Sequence, residues 1–284
     1  MSACRKRVLV LADFARPGVQ SALEQVRNRL GRCTELIDVD LPGDASEPVV
    51  IPEAELAIVL GGDGTILRVA RTFGDKQLPV IGINLGKLGY LAEFSLSDLD
   101  DVADCIVKDC LVITQRLMLD AQLEENGQTF TSLAVNDLVL QAGPPFRMIE
   151  VTICINDADL TLMRGDGLII STPTGSTGHN LAAGGPILDP LTGGIVLTPI
   201  CPHSLTYRPL VLSEDARIDV RACRINAGST WIVDGQVTKV VSPGSVLAVR
   251  RARGKFLLVH NRQHSRWHTL QTKLNWGTGP NYKS

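Results

Sequence analysis

Aromatic side chains are scarce: Phe, Tyr and Trp make up 4% of the 284 residues. That leaves few platforms on which the bases of a nucleic-acid strand could stack. No charge of either sign dominates. With 28 Lys and Arg against 30 Asp and Glu, the net charge is −2, too little to attract a polyanion or an anionic membrane, which argues against a nucleic-acid or membrane-surface partner. No apolar run approaches the ~18 residues of a spanning helix. Arg5-Lys6-Arg7 followed by Val8 to Ala12 mimics a signal peptide, but Asp13 ends the apolar run early, and the segment reads better as a buried strand. The 7 cysteines (4, 33, 105, 110, 154, 201, 223) are scattered and contain no C-x-x-C. That suits reduced thiols in a cytoplasm rather than a disulfide frame or a zinc site.

With 44% hydrophobic and 20% charged residues, the chain has a globular composition. Its length allows two domains and the burial of roughly 75% of the unfolded surface. The first third alternates strand-like runs (7–12, 55–60, 79–83) with helix-like ones (18–31, 64–73), the signature of parallel βαβ units. Residues 42–53 hold three prolines and read as a loop. From about residue 112, short β-branched runs recur at 129–140, 149–155, 160–163, 167–171, 194–199, 216–222, 229–233 and 244–250. These predict a β-rich, sandwich-like C-terminal domain. The expected division is an α/β domain over 1–114, a β-rich domain over 115–264, and a helical tail over 265–284 that packs back on the first domain.

Two stretches carry chemistry. Gly61-Gly62-Asp63-Gly64-Thr65 follows an apolar strand and opens a helix. Glycines at a strand end admit close backbone approach, and the helix N-terminus behind them suits phosphate. A carboxylate beside phosphates is repelled unless it has a role; Asp63 could accept a proton from an attacking hydroxyl, hold a metal, or simply cap the helix. The second stretch, 164–190, runs from a strand into Thr172-Pro173-Thr174-Gly175-Ser176-Thr177-Gly178 and on to Gly184-Gly185-Pro186. Its hydroxyls and exposed amides can surround a polar ligand, with Arg164 and Asp166 as a flanking cation and acceptor. Three weaker signals are set aside. His260, His264 and His268 are spaced for one helical face, but no carboxylate lies among them and 254–260 reads as a strand. The basic cluster Arg250 to Lys255 reads as an exposed turn. The His203-Ser204 pair would point to opposite faces of a strand.

Taken in order, these residues resemble the bacterial-type NAD kinases over nearly the whole chain. The resemblance rests on Gly61 to Thr65, Gly82 to Leu91, Asn136-Asp137, Asp166 to Thr177, Gly184-Gly185-Pro186, Thr198 to Leu205, Arg208-Pro209 and Asp234-Gly235-Gln236. It implies the two-domain architecture of that family, and transfer of the ATP γ-phosphoryl to the 2′-hydroxyl of the adenosine ribose of NAD. It further implies a divalent cation, Mg2+, carried with ATP, and a homodimer or homotetramer. By position, Asp63 becomes the proton acceptor, with Gly64 and Arg68 beside the dinucleotide. Asn136 and Asp137 take the nucleoside, while Arg147, Arg164, Asp166 and the run Thr177, Gly178, His179, Asn180, Leu181, Ala182 line the same pocket and Gln236 closes it. No residue is expected to form a metal cage of its own.

The chain departs from the family at Gly178-His179, where Ala-Tyr is usual. Imidazole stacks and hydrogen-bonds, but it offers less apolar area and titrates near neutral pH. Two other readings stay open at this level: a lipid kinase sharing the GGDGT element, and a dinucleotide-binding regulator without catalysis.

Overall fold

The computed structural model describes residues 5–43, 49–86, 89–125, 127–263, 265 and 267–277. Two compact units divide the chain, one of Met1–Val69, Leu78–Thr114 and Leu257–Ser284, the other of Ala70–Gln77 and Gln115–Phe256. The chain begins with β1 (Lys6–Ala12), α1 (Val19–Leu30), β2 (Thr34–Asp40), β3 (Leu56–Leu60), α2 (Asp63–Phe73), β4 (Val80–Ile83), α3 (Leu99–Val107) and β5 (Val112–Arg116). It continues with β6 (Leu119–Glu125), β7 (Gln128–Ala134), β8 (Asp137–Gln141), β9 (Ile149–Ile155), β10 (Ala158–Gly165) and β11 (Gly167–Ser171). The short α4 (His179–Ala182) leads to β12 (Gly194–Ile200), β13 (Leu210–Ser213), β14 (Ile218–Arg224), β15 (Thr230–Val233), β16 (Val237–Val240) and β17 (Val246–Arg251). Last come β18 (Phe256–His260) and α5 (His268–Leu274).

The first unit is built on a six-stranded sheet in the order β2-β1-β3-β4-β18-β5. From β2 through β1, β3 and β4 to β18, each successive pair is parallel. Every residue of β3 and β4 is buried, as expected of parallel strands covered on both faces. Helix α1 presents Val19, Ala22, Leu23, Val26 and Leu30 to this core, and α3 presents Leu99, Val102 and Ile106. Those spacings make one stripe on each helix.

In the second unit two six-stranded sheets, β10-β9-β14-β17-β6-β7 and β13-β12-β11-β8-β15-β16, pair antiparallel throughout. Along β6 the burial alternates, with Leu119, Ala121 and Leu123 inward. Those residues share one apolar core with Leu138, Leu140, Ile170, Leu197 and Trp231 of the other sheet. Two antiparallel sheets with one core between them make a β-sandwich, so the expected fold class is what the chain adopts.

The structure differs from the sequence reading in detail. The run 129–140 is two strands, β7 and β8, because the amides of Val135 and Asn136 are donated to a side chain, Asp234, instead of to a ladder. Strands β2, β5, β6, β13 and β16 and helix α3 were not anticipated. Of the proline-rich loop, the described residues 42–43 and 49–53 carry no helix or strand. His264 lies outside the described residues, and His260 ends β18, in agreement with the strand read over 254–260.

Candidate functional site

Strand β3 ends at Gly61-Gly62, and α2 begins at Asp63. Gly61 must lack a side chain, since a Cβ there would stand 2.5 Å from Thr65 Oγ1 in the first turn. The Asp63 carboxylate points away from that turn and collects three consecutive backbone donors: Tyr90 N–H on Oδ2 at 2.8 Å, and Leu91 and Ala92 N–H on Oδ1 at 2.9 and 3.1 Å. A carboxylate offers about four lone-pair sites, so one site on Oδ2 is left by the backbone. Gly64 is exposed in the first turn of α2. Arg68, one turn on, donates from Nη1 to the Pro42 carbonyl. Lys87 and Leu88 of the Gly82 to Leu91 motif lie outside the described residues.

The second centre lies at one end of a sandwich sheet, where the β7–β8 connection, the β11–α4 loop and the β15–β16 turn are hydrogen-bonded to one another. Asp234 and Gly235 both have positive φ, +49° and +67°, the conformation an Asp-Gly hairpin turn adopts. The turn directs the Asp234 carboxylate onto the amides of Val135, Asn136 and Asp137 at 3.2, 2.8 and 3.2 Å. Arg71 Nη1 completes its shell at 2.8 Å and also donates from Nη2 to Gln236 Oε1. Burial pushes the Asp234 carboxyl above the ordinary range, opposed by Arg71 and the three amides.

Asp137, whose backbone N–H serves Asp234, is itself 2% exposed. Its Oδ2 stands 3.6 Å from His179 Nδ1, and its Oδ1 has no hydrogen-bond partner. Burial pushes this carboxyl up to about 6, with Asp234 adding to the rise and His179 opposing it. Thr174 Oγ1, in the neighbouring loop, is a second buried oxygen without a partner. A native structure rarely leaves such atoms unpaired, and these two lie in adjoining loops.

The loop around them is held by buried side chains. Thr172 donates to the Val135 carbonyl and receives the Gly175 N–H. Gly175 lies against Asn136, where a Cβ would stand 2.1 Å from the carbonyl oxygen. Asn180 is fully buried, its amide donating to the Ser176 and Pro186 carbonyls and its Oδ1 accepting from Thr198. Asn180 therefore braces the loop rather than offering its side chain outward. Thr177 and Leu181 are half-buried, whereas Gly178, His179 and Ala182 are exposed.

The structure thus gathers Asn136, Asp137, His179 and Gln236 around Asp234. The remaining predicted residues lie at other connections. Arg164 and Asp166 flank Gly165 at the β10–β11 junction, with Arg164 paired to Glu150 at 3.1 Å. Arg147, in the β8–β9 connection, is exposed and accepts at its carbonyl from Asn226. Neither Arg71 nor Gly89 is singled out by the sequence as a functional residue. Asp234-Gly235 is a hairpin signal visible in sequence, but the Arg71 contact, 163 residues away, has no local signature.

A held carboxylate at a glycine-opened helix start, together with a loop cluster presenting unpaired acceptors, is the equipment of a kinase for small hydroxylated ligands. Within that class, residues 32–110 match the model of the ATP-NAD kinase N-terminal domain and residues 135–261 that of the ATP-NAD kinase C-terminal domain. An NAD kinase of Trichlorobacter lovleyi is 38% identical over 96% of this chain and 99% of its own length. One of Geotalea daltonii is 42% identical over 80% of this chain and 81% of its own. Among solved structures, the yeast NADH kinase complexed with NADH superposes with a TM-score of 0.86 at 25% identity, covering 100% of this chain and 91% of that one. The chain belongs to the NAD kinase family.

Proposed function

We propose that this protein transfers the γ-phosphoryl group of ATP to the 2′-hydroxyl of the adenosine ribose of NAD, giving NADP. The observation that carries the mechanism is the three-amide cradle of Asp63. Phosphoryl transfer through a loose transition state depends on positioning and charge stabilisation more than on covalent chemistry. A carboxylate fixed at both oxygens presents its remaining Oδ2 lone pair in one direction, as a proton acceptor for the attacking hydroxyl must. The 2′-hydroxyl gives its proton to Oδ2 as its oxygen attacks phosphorus, and ADP leaves with the β-phosphate oxygen. The amides opening α2, at Gly64 and beyond, face the phosphates, and Arg68 adds a cation from the next turn.

Asp137 Oδ1 and Thr174 Oγ1, buried and unpartnered, accept from the hydroxyls of the nucleoside, with the Asn136 amide beside them. His179 stands where the family's aromatic ring stacks, and Gly178, Leu181, Ala182 and Thr177 supply the wall that Asn180 braces. Gln236 closes the cluster from the hairpin turn, and Arg147, Arg164 and Asp166 contact the dinucleotide from their own connections.

The donor set fits a divalent cation that arrives with the triphosphate. Among the described residues no three His, Cys, Asp or Glu side chains are grouped to hold one, and Mg2+ readily keeps waters and phosphate oxygens as ligands. When bound it neutralises charge on the β- and γ-phosphates. A homo-oligomeric assembly is supported by apolar side chains on two edge strands: Leu160 and Leu162 of β10, and Leu210 and Val211 of β13, are all exposed. Among the described residues no helix is long and apolar enough to cross a membrane, and the reduced-thiol composition supports a cytoplasmic location.

The test is NADP formation from NAD, ATP and Mg2+, read through an NADP-specific dehydrogenase. Signal requiring both ATP and the cation is expected. Binding of NAD without turnover would favour a regulator, and failure to bind NAD would overturn the reading.

A further inference from the structure

Helix α3 ends in a left-handed residue, Asp109, with φ +51°. Cys110 N–H bonds the Cys105 carbonyl at 2.9 Å and Asp109 N–H bonds the Ile106 carbonyl at 3.4 Å. These are the 6→1 and 5→2 bonds of a Schellman cap. Such a cap brings the side chain three residues inside the helix end against the one two residues beyond it, a contact ordinarily made by two apolar residues. Here both positions are cysteine, and the sulfurs stand 2.7 Å apart. Both thiols line a cavity of about 290 Å³ whose wall includes Lys108, His260 and Arg262. All these residues belong to the first unit.

We propose that Cys105 and Cys110 form a redox-active dithiol that closes to a disulfide by exchange with an oxidised low-molecular-weight disulfide such as oxidised glutathione. One thiolate attacks the S–S bond of the small disulfide, forming a mixed disulfide and releasing one small thiol. The second cysteine then displaces the other. The two cysteines lose two electrons and two protons, and the small disulfide gains both as two thiols. The cap holds the second sulfur in place before the first reacts, so closure outruns a second attack from solution. The hydrogen bond to Cys110 and burial hold the Cys105 thiol above its ordinary value, with Arg262 and Lys108 opposing the rise, so the exchange should quicken as pH rises. A thiol pair of this kind suits a reducing compartment, where disulfides are transient and responsive rather than structural.

This inference stands apart from the kinase reading, and its test needs no turnover. The full-length protein is treated with oxidised glutathione and mapped by mass spectrometry without reduction. The expected product joins Cys105 to Cys110 with a loss of about 2 Da, reverts with dithiothreitol, and forms roughly tenfold or more faster in native than in urea-unfolded protein because the cap pre-positions the pair. The exposed Cys201 and Cys223 serve as controls and carry glutathione instead. C105S and C110S should each leave the remaining cysteine of the pair as a stable glutathione adduct. Separate adducts on both cysteines of the wild type, two unmodified thiols, or equal rates in native and unfolded protein would each overturn the proposal.

Discussion

Gly89 lies so close to Asp63 that a Cβ on it would stand 2.0 Å from Oδ1 and 2.7 Å from the carboxyl carbon. The glycine is thus what allows the next three amides to close on the carboxylate. Gly89→Ala is expected to displace Asp63 and lower kcat by about 10²-fold or more, within the range of losing a general base. A purified variant with unchanged kcat for NADP formation would show that the cradle does not set the reacting geometry.

Asp63→Asn should reduce kcat by about 10²–10⁴-fold while NAD still binds. The cradle adds a second consequence. An amide has only one acceptor oxygen, so its NH2 group would face at least one backbone donor, an unsatisfied contact worth about 1–3 kcal/mol. Isothermal titration with NAD and a urea melt separate the two effects. Lost binding in a folded variant would make Asp63 a binding residue rather than a base.

Arg71→Met removes the guanidinium from Asp234, whose side chain has no solvent exposure. Stranding one partner of a buried pair typically costs about 3–5 kcal/mol. Denaturant unfolding should show a loss of that order, and Asp234→Asn in the same background should recover part of it.

The Asp137 carboxyl, pushed up to about 6 by burial, gives stability a definite pH dependence. Its folded value exceeds the unfolded one, so the folded state binds the proton more tightly. The contribution is complete below about pH 4 and is lost as pH rises through about 6, on the order of 2–3 kcal/mol. Asp137→Asn should flatten this slope in urea melts between those pH values. It should also weaken NAD binding by about 10-fold or more, since a charged acceptor is replaced by a group that can turn a donor to the ligand.

His179→Tyr should keep activity, because the imidazole is exposed and touches Asp137 only at 3.6 Å. It removes a neighbour that holds the Asp137 carboxyl down. The descending limb of stability should therefore extend to higher pH in the variant. A complete loss of turnover would show that the pocket is built differently around this position.

How much of this was legible beforehand depended on the range of the interaction. The all-apolar runs Val8 to Ala12 and Leu56 to Leu60 announced buried strands, and the glycines before Asp63 announced the turn. Helix α3 was missed although Ser95 and Asp98 form a capping box just ahead of it, because its acidic surface masks a stripe of three apolar residues. The break between β7 and β8 was invisible because it is imposed from Asp234, about a hundred residues away. Family motifs single out Asp63 and Asp137 as candidates, but Gly89 as a steric permission and Arg71 as a counter-ion emerge only when the chain is folded.

Strand β18 lies between β4 and β5 in the first sheet. The residues that complete that sheet therefore leave the ribosome after the entire sandwich has been made. Until Phe256–His260 arrive, β4 is an open edge and β5 lacks its neighbour. During synthesis the unit whose strands emerge first thus cannot complete its sheet until the sandwich strands have been made, and the unit that holds Asp63 waits for β18.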